Sequence, residues 1–387
     1  MKEGEATLPA SVKALGLVSL LTDCSSEMVY PVNARMLRML GAPASVLGLI
    51  EGVSEATASL LKLYSGSLSD RWGKRKPLTL VGYGLAALTK PLIGLAGGWP
   101  QVFLGRVLDR TGKGLRSAPR DALIADVCPP SMRGRAFGLH RSMDTAGAVL
   151  GPLAGYAFLR THPEAIRSLY WIAFLPALLG VLVLWLVVKE SPKAISVSRG
   201  PFRFSLSGLS SPYRRFLLAS AVFGLGNSSD QFLLLRSQES AHLSTEKMLL
   251  LYALFNVVEA ALGYGAGKFS DRMGRRALIA VGWLVFAAVY AGFALLPQRF
   301  GLPAIVGLFL FYGLYYTLTQ GAQKALAADL SDPERRGEQM GAFHFLVGLA
   351  AFPASVLAGS LYDLSPQAPF WIGAGCALVA ALILAKK

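Results

Sequence analysis

The chain has 387 residues, of which 53% are hydrophobic and only 16% charged, with a net charge of +15 and a mean hydropathy of +0.47. That balance excludes an ordinary water-soluble domain, in which about 25% of residues are charged. It also excludes a solvated basic tail for nucleic acid, because the cations are dispersed among apolar runs instead of forming one block.

In chain order, twelve apolar runs reach the roughly 20 residues that carry a helix across a bilayer. They fall near 12–35, 44–66, 77–97, 100–125, 136–159, 168–188, 216–237, 247–267, 277–296, 302–328, 339–361 and 368–385. Runs such as LYWIAFLPALLGVLVLWLVV are continuous, whereas strands of a membrane barrel alternate apolar with polar residues. The fold expected is therefore an all-α integral membrane protein with twelve transmembrane helices. Loops on one side hold about twenty Lys and Arg and those on the other about seven. This asymmetry predicts both termini in the cytoplasm of a multi-pass protein of the bacterial inner membrane. The amino-terminal segment carries acids and flows into a full span, the pattern of an uncleaved start. Cys24, Cys128 and Cys376 are isolated, and suggest neither a disulfide framework nor a metal pair.

Between the second and third runs lies GSLSDRWGKRKP, and a near copy, GKFSDRMGRRAL, starts at Gly267. At that offset Asp70 meets Asp271, Gly73 meets Gly274, and Asp126 in DVCPPSMRGRAFG meets Asp329 in DLSDPERRGEQMG. The chain therefore reads as a duplication: a six-helix bundle over 1–188, a basic linker rich in Ser and Pro over 189–215, and a second six-helix bundle over 216–387.

With these residues in view the chain resembles the major facilitator superfamily over essentially its full length. The loop signature is matched by Gly66, Asp70, Arg71, Gly73, Lys74 and Arg75, and again in the second half. The fourth-helix signature is matched by Arg106 and Gly112, with Arg110 where the family usually has glycine. The fifth-helix signature of antiporters is matched by Gly147, Gly151, Pro152 and Gly155, with Tyr156 replacing the last glycine. The resemblance implies two pseudo-symmetric bundles around a central cavity lined by the first and fourth helices of each half. The charged turns then read as gates: Arg71 or Arg75 pairing with Asp126, and Arg272 or Arg275 with Asp329, at turns shaped by Gly66, Gly73 and Gly274 with Asp70 and Asp271.

Charges at bilayer depth cost about 2.5–3.5 kcal/mol each on insertion scales, so each needs a reason. Asp23 and Glu27 lie one turn apart on the first helix, and Glu51 and Glu55 repeat that spacing on the second. On the fourth, Arg106, Asp109, Arg110, Lys113, Arg116 and Arg120 cover about a third of the circumference at 100° per residue. Lipid cannot face that stripe. Asp23, Glu27, Glu51, Glu55 and Arg106 are the candidates for proton coupling, Asp23 and Glu27 foremost. Neutralising Arg106 or Arg110 for folding is the competing role for those two. Arg110, Lys113, Arg116 and Arg120 are solute candidates, unless Asp109, Asp121 and Glu259 occupy the cations Arg116, Arg120 and Lys324. The second half adds Asn227, Asp230, Gln231, Tyr316, Gln320, Gln323 and Lys324. Tyr312 and Tyr315 read either as a wall of the site or as packing. His140 and His344 are expected to hydrogen-bond between helices and to bind no metal.

The function expected is a secondary transporter driven by the proton gradient, without other cofactor, acting as a monomer on a small polar or charged organic compound. Proton-coupled efflux is the leading direction, and uptake of an anionic metabolite or metal chelate by symport the alternative. A solute sensor lacks a cytoplasmic domain to signal through, and an ATP-driven pump or other enzyme lacks a phosphate loop or nucleophile elbow.

Overall fold

The computed structural model describes residues 8–129, 132–190, 209–296, 301–332 and 336–386, with the side chains at 67, 134, 263–273 and 336–338 outside the description. No strand occurs among the described residues. The first half comprises α1 (Ala10–Val29), α2 (Asn33–Met39), α3 (Ala44–Trp72), α4 (Lys76–Gly94), α5 (Trp99–Val127), α6 (Arg133–Thr161) and α7 (Ile166–Val187). The second comprises α8 (Ser211–Gly226), α9 (Gln231–Ala241), α10 (Thr245–Met273), α11 (Arg275–Leu295), α12 (Gly301–Leu330), α13 (Arg336–Leu364) and α14 (Ala368–Ala385).

Among the described residues fourteen α-helices make twelve membrane legs, because the first and seventh legs are each broken in two. Continuous helices were expected at 12–35 and 216–237. The first leg breaks at Tyr30–Val32, where a 3-10 turn contains Pro31, which has no N–H for the helix ladder. The seventh breaks across residues 227–230, the polar run Asn227, Ser228, Ser229 and Asp230.

The main packings of one half recur in the other. α1 lies on α6 and α7 as α8 lies on α13 and α14; α5 bridges α3 and α4 as α12 bridges α10 and α11; α4 meets α7 as α11 meets α14. The halves touch chiefly along two seams, α3 with α13 and α6 with α10, which completes two pseudo-symmetric six-helix bundles. The lipid side is apolar: Leu88, Leu186 and Leu382 are exposed, as a bilayer allows and water does not. Trp283, Phe286 and Tyr290 are buried in the second bundle, where Trp283 stacks on Phe223 with centroids 5.0 Å apart.

The repeated turn shows why its glycines are needed. Gly73 ends α3 at φ +62° and Gly274 precedes α11 at φ +86°, left-handed backbone that a side chain disfavours. Because the leg count is even, both described ends lie on one face of the membrane, called here the terminal face.

Candidate functional site

The outer part of the basic stripe of α5, Arg106 to Arg110, meets acids of α3 and a lysine of α4, while Lys113 and Arg116 face Asp23 of α1. Arg106 donates to Glu51 Oε1 from Nη2 at 2.7 Å and from Nε at 3.2 Å, and its Nη1 lies 3.8 Å from Asp109 Oδ2. Lys90 Nζ donates to Asp109 Oδ1 at 2.9 Å, and Arg110 Nε sits 3.2 Å from Glu55 Oε1. Glu51, Lys90, Arg106 and Asp109 are all buried. Three cations thus face three carboxylates, a balance that lets charge persist at bilayer depth. Asp23 and Glu27 therefore do not neutralise Arg106 or Arg110. Asp109 is held by Lys90 and Arg106, leaving Arg116 stacked over the Tyr83 ring, 4.4 Å from its centroid. That places Arg116 against α4 instead of in a solute site. Arg120 pairs with Asp121 at 2.8 Å. Lys113 is exposed, and no carboxylate lies within 4 Å of it among the described residues.

A second polar group lies where α1 meets α6. Asp144 accepts a hydrogen bond from the Ser19 hydroxyl and sits 3.5 Å from His140 Nδ1. Asp23 faces Asp144, Arg116 and Lys113. The fifth-leg glycines explain the close approach: a Cβ at Gly147 would come within 2.5 Å of Leu20 O and 3.0 Å of Asp23 Cβ, and one at Gly151 would collide with the backbone of Cys24 and Met28. Pro152 follows inside the same helix, and Gly155 touches both Met28 and Leu249.

The two broken legs meet at their breaks. Gln231, fully buried, donates from Nε2 to Tyr30 O at 2.5 Å and accepts from Ala34 N at 3.3 Å. One amide thus bridges the break at Pro31, giving Ala34 N an acceptor and Tyr30 O a second donor beside Asn33 N. Gln231 is a clamp between halves, not a wall of the cavity. Beside it Ser229 donates to Glu51 Oε2 at 3.1 Å and lies 3.3 Å from Tyr30 Oη. Glu27 joins the same region through Tyr252 of α10.

On the face opposite the termini the halves are fastened further. Asp363, at the end of α13, accepts from Ala44 N at 2.8 Å and Ser45 N at 2.9 Å, covering the N-terminus of α3. Arg38 pairs with Glu239 at 2.9 Å, and Tyr362 donates to Glu239 at 2.7 Å. Toward the terminal face the bundles instead leave a cavity of about 1250 Å³, reaching Gly138, Arg275 and Ala325 near helix ends on that side.

Tyr316, Gln320 and Lys324 line this cavity, with Arg141 and Glu259 opposite. A smaller adjoining cavity of about 230 Å³ takes in Asn227, Tyr315, Tyr316, Gln320 and Gln323. The structure thus brings together five of the second-half candidates. Asp230 is engaged by Tyr312, whose hydroxyl donates at 2.5 Å. Tyr312 packs with Phe255 and Tyr315 with Phe286; Tyr315 and Tyr316 line the cavities and Tyr312 supports them. Glu259 pairs with Arg141 at 3.0 Å, not with Lys324.

Among the charged-turn residues, Arg75 lies 3.4 Å from Asp126 and 2.5 Å from Asp70, and Arg275 pairs with Asp329. These contacts stay within one half. Gly66 packs against Ala118 with a virtual Cβ 3.3 Å away. Arg71 is exposed, and the side chains of Asp271 and Arg272 fall outside the described residues. Glu190 also covers the first turn of α4, accepting from Arg75 N and Lys76 N at 2.9 and 2.8 Å. Sequence reasoning missed Lys90, Ser229, Asp144, Asp363 and Glu190. Lys90 was findable as a lone cation inside the apolar run LAALTKPLIG.

The Major Facilitator Superfamily profile matches residues 15–355. An uncharacterized MFS-type transporter of Methanocaldococcus jannaschii is 34% identical over 99% of this chain and 96% of its own. Multidrug resistance protein MdtH of Aeromonas hydrophila is 27% identical over 96% of this chain and 93% of its own. Among solved structures, a POT family transporter in complex with 5-aminolevulinic acid superposes with a TM-score of 0.81 at 12% identity, covering 97% of this chain and 95% of its own. The chain belongs to the major facilitator superfamily.

Proposed function

We propose that this multi-pass transporter exports a small polar or charged organic compound in exchange for protons, rocking bundles 1–188 and 216–387 about the central site with 189–215 as linker. The observation that carries the reading is the double engagement of Glu51. Its Oε1 holds Arg106 of its own half while its Oε2 accepts from Ser229 of the other. An ionised, empty carrier is therefore latched with the far face shut. A proton on Glu51 weakens both bonds and frees the halves to move. A carrier that moves when loaded with either proton or solute, and stays latched when empty, exchanges one for the other. Symport requires the empty form to move, so the latch favours antiport.

The positive loops support placing the terminal face in the cytoplasm of a bacterial inner membrane, and the MdtH relatives support efflux. The protein is read as a monomer using no cofactor beyond the proton gradient. The test is proteoliposomes with an entrapped pH dye and an imposed pH gradient, challenged with a panel of polar metabolites and antibiotics. Some member should collapse the gradient with the wild type and not with Glu51→Gln. Solute movement indifferent to the gradient would refute the reading.

A further inference from the structure

The charge balance of the central tier ends at the rim of the large cavity. There Arg141 on α6 and Lys324 on α12 line the cavity, and Lys62 on α3 and His344 on α13, from the neighbouring seam, lie within electrostatic reach of Lys324. His344 faces Lys62 and Lys324, and Lys324 faces Arg141 and Lys62. Glu259 is the carboxylate opposite them and is taken by Arg141 at 3.0 Å. Neither Lys62 nor Lys324 has a carboxylate within 4 Å among the described residues, and both are exposed. Among the described residues, three permanent cations against one acid leave this cluster with two unbalanced positive charges, where the tier above is neutral.

Topology does not explain these groups. Cations that set orientation sit in loops, whereas Lys62, Arg141 and Lys324 lie several residues inside helices, where an unpaired charge is costly. Their placement follows the seams. Gly348 sits directly against Ser59 where α3 meets α13, and His344 and Lys62 come one turn nearer the terminal face. Arg141 flanks the other seam. On α12 the spacing of four puts Tyr316, Gln320 and Lys324 on one face, all lining the cavity. Read inward from the rim, that face offers a cation, an amide and an aromatic ring, and Tyr316 packs edge-on against Phe255 at 5.1 Å.

We infer that Lys62, Arg141, Lys324 and His344 form an anion-binding vestibule, and that the transported solute is an organic acid whose carboxylate or phosphate meets Lys324 and Lys62 while its apolar body rests on Tyr316. The site deepens the transport reading and rests on it, naming the chemical class of the solute.

The site is tested by thermal unfolding of the full-length protein in neutral detergent, with no proton gradient present. Benzoate and phenyl phosphate are compared with the neutral benzamide and the cationic benzylammonium. At saturation the two acids should raise Tm by about 2–4 °C and the other two should not. Lys324→Gln and Lys62→Gln, both at exposed positions, should each cut the acid-specific shift at least about two-fold, and Lys324→Arg should retain it. Benzamide matching benzoate, or an acid shift unchanged in both glutamine variants, would overturn the site. So would stabilisation by phosphatidylglycerol nanodiscs alone, which would assign the cluster to a lipid headgroup. Because binding is read without transport, loss of the anion effect with proton exchange intact refutes the site only. The reverse result refutes only the exchange reading.

Discussion

Ser229 donates its hydroxyl to Glu51 Oε2 across the boundary between the bundles at 3.1 Å, while Arg106 occupies the other oxygen of the same carboxylate at 2.7 Å. One buried acid is thereby shared between an ion pair inside the first bundle and a contact to the second. Its charge state is felt at both, which is the physical basis of the proposed link between protonation and movement.

Gln231 makes the strongest stability prediction. Gln231→Leu keeps the volume but deprives Ala34 N of its side-chain acceptor in a buried seam, at about 1–3 kcal/mol, and leaves Tyr30 O with Asn33 N as its donor. Unfolding should become easier by about 1–3 kcal/mol in denaturant titrations of the purified protein. A change below about 0.5 kcal/mol would mean the break at Pro31 finds other partners.

Asp363→Asn should loosen the far face without unfolding the chain, since an amide oxygen accepts less strongly from Ala44 N and Ser45 N than a carboxylate does. With Cys24, Cys128 and Cys376 replaced, spin labels at the exposed Met39 and Leu364 report that face. The variant should populate longer distances than the parent. Identical distributions would remove Asp363 from the seal.

Gly151→Val should fail to accumulate as folded protein, because the new side chain meets Cys24 and Met28 backbone, which cannot yield as a side chain would. Gly84→Ala is the control: nothing lies within 4 Å of its virtual Cβ, and Tm should stay within about 2 °C of the wild type. Normal folding of Gly151→Val, measured by size-exclusion profile and Tm, would show that the glycine motif is not needed for the α1–α6 contact.

What could be read from the sequence was what depends on spacing along one element. The twelve apolar legs, the repeat and the charged face of α5 follow from composition and the helical period, and the fold was legible from these. Which acid meets Arg106 depends on the packing of separate helices, so Asp23 and Glu27 were the natural candidates although Glu51 and Glu55 take the place. Gln231 looked like a solute ligand because it is polar at depth. Its true partners are backbone groups flanking a break that the apolar run 12–35 conceals. Ser229 and Asp363 carried no signal, since a serine or a helix-end aspartate is ordinary until its neighbour is known.

The coupling claim is tested most directly by the far-face distance between labels at Met39 and Leu364, recorded against pH in the wild type and in Glu51→Gln. Protonation removes the charge that holds Arg106 and Ser229, so acidification should move the wild type from short toward long distances. Glu51→Gln should show the long population at every pH. A variant that stays short and keeps the wild-type pH response would contradict the account, and would place the proton elsewhere.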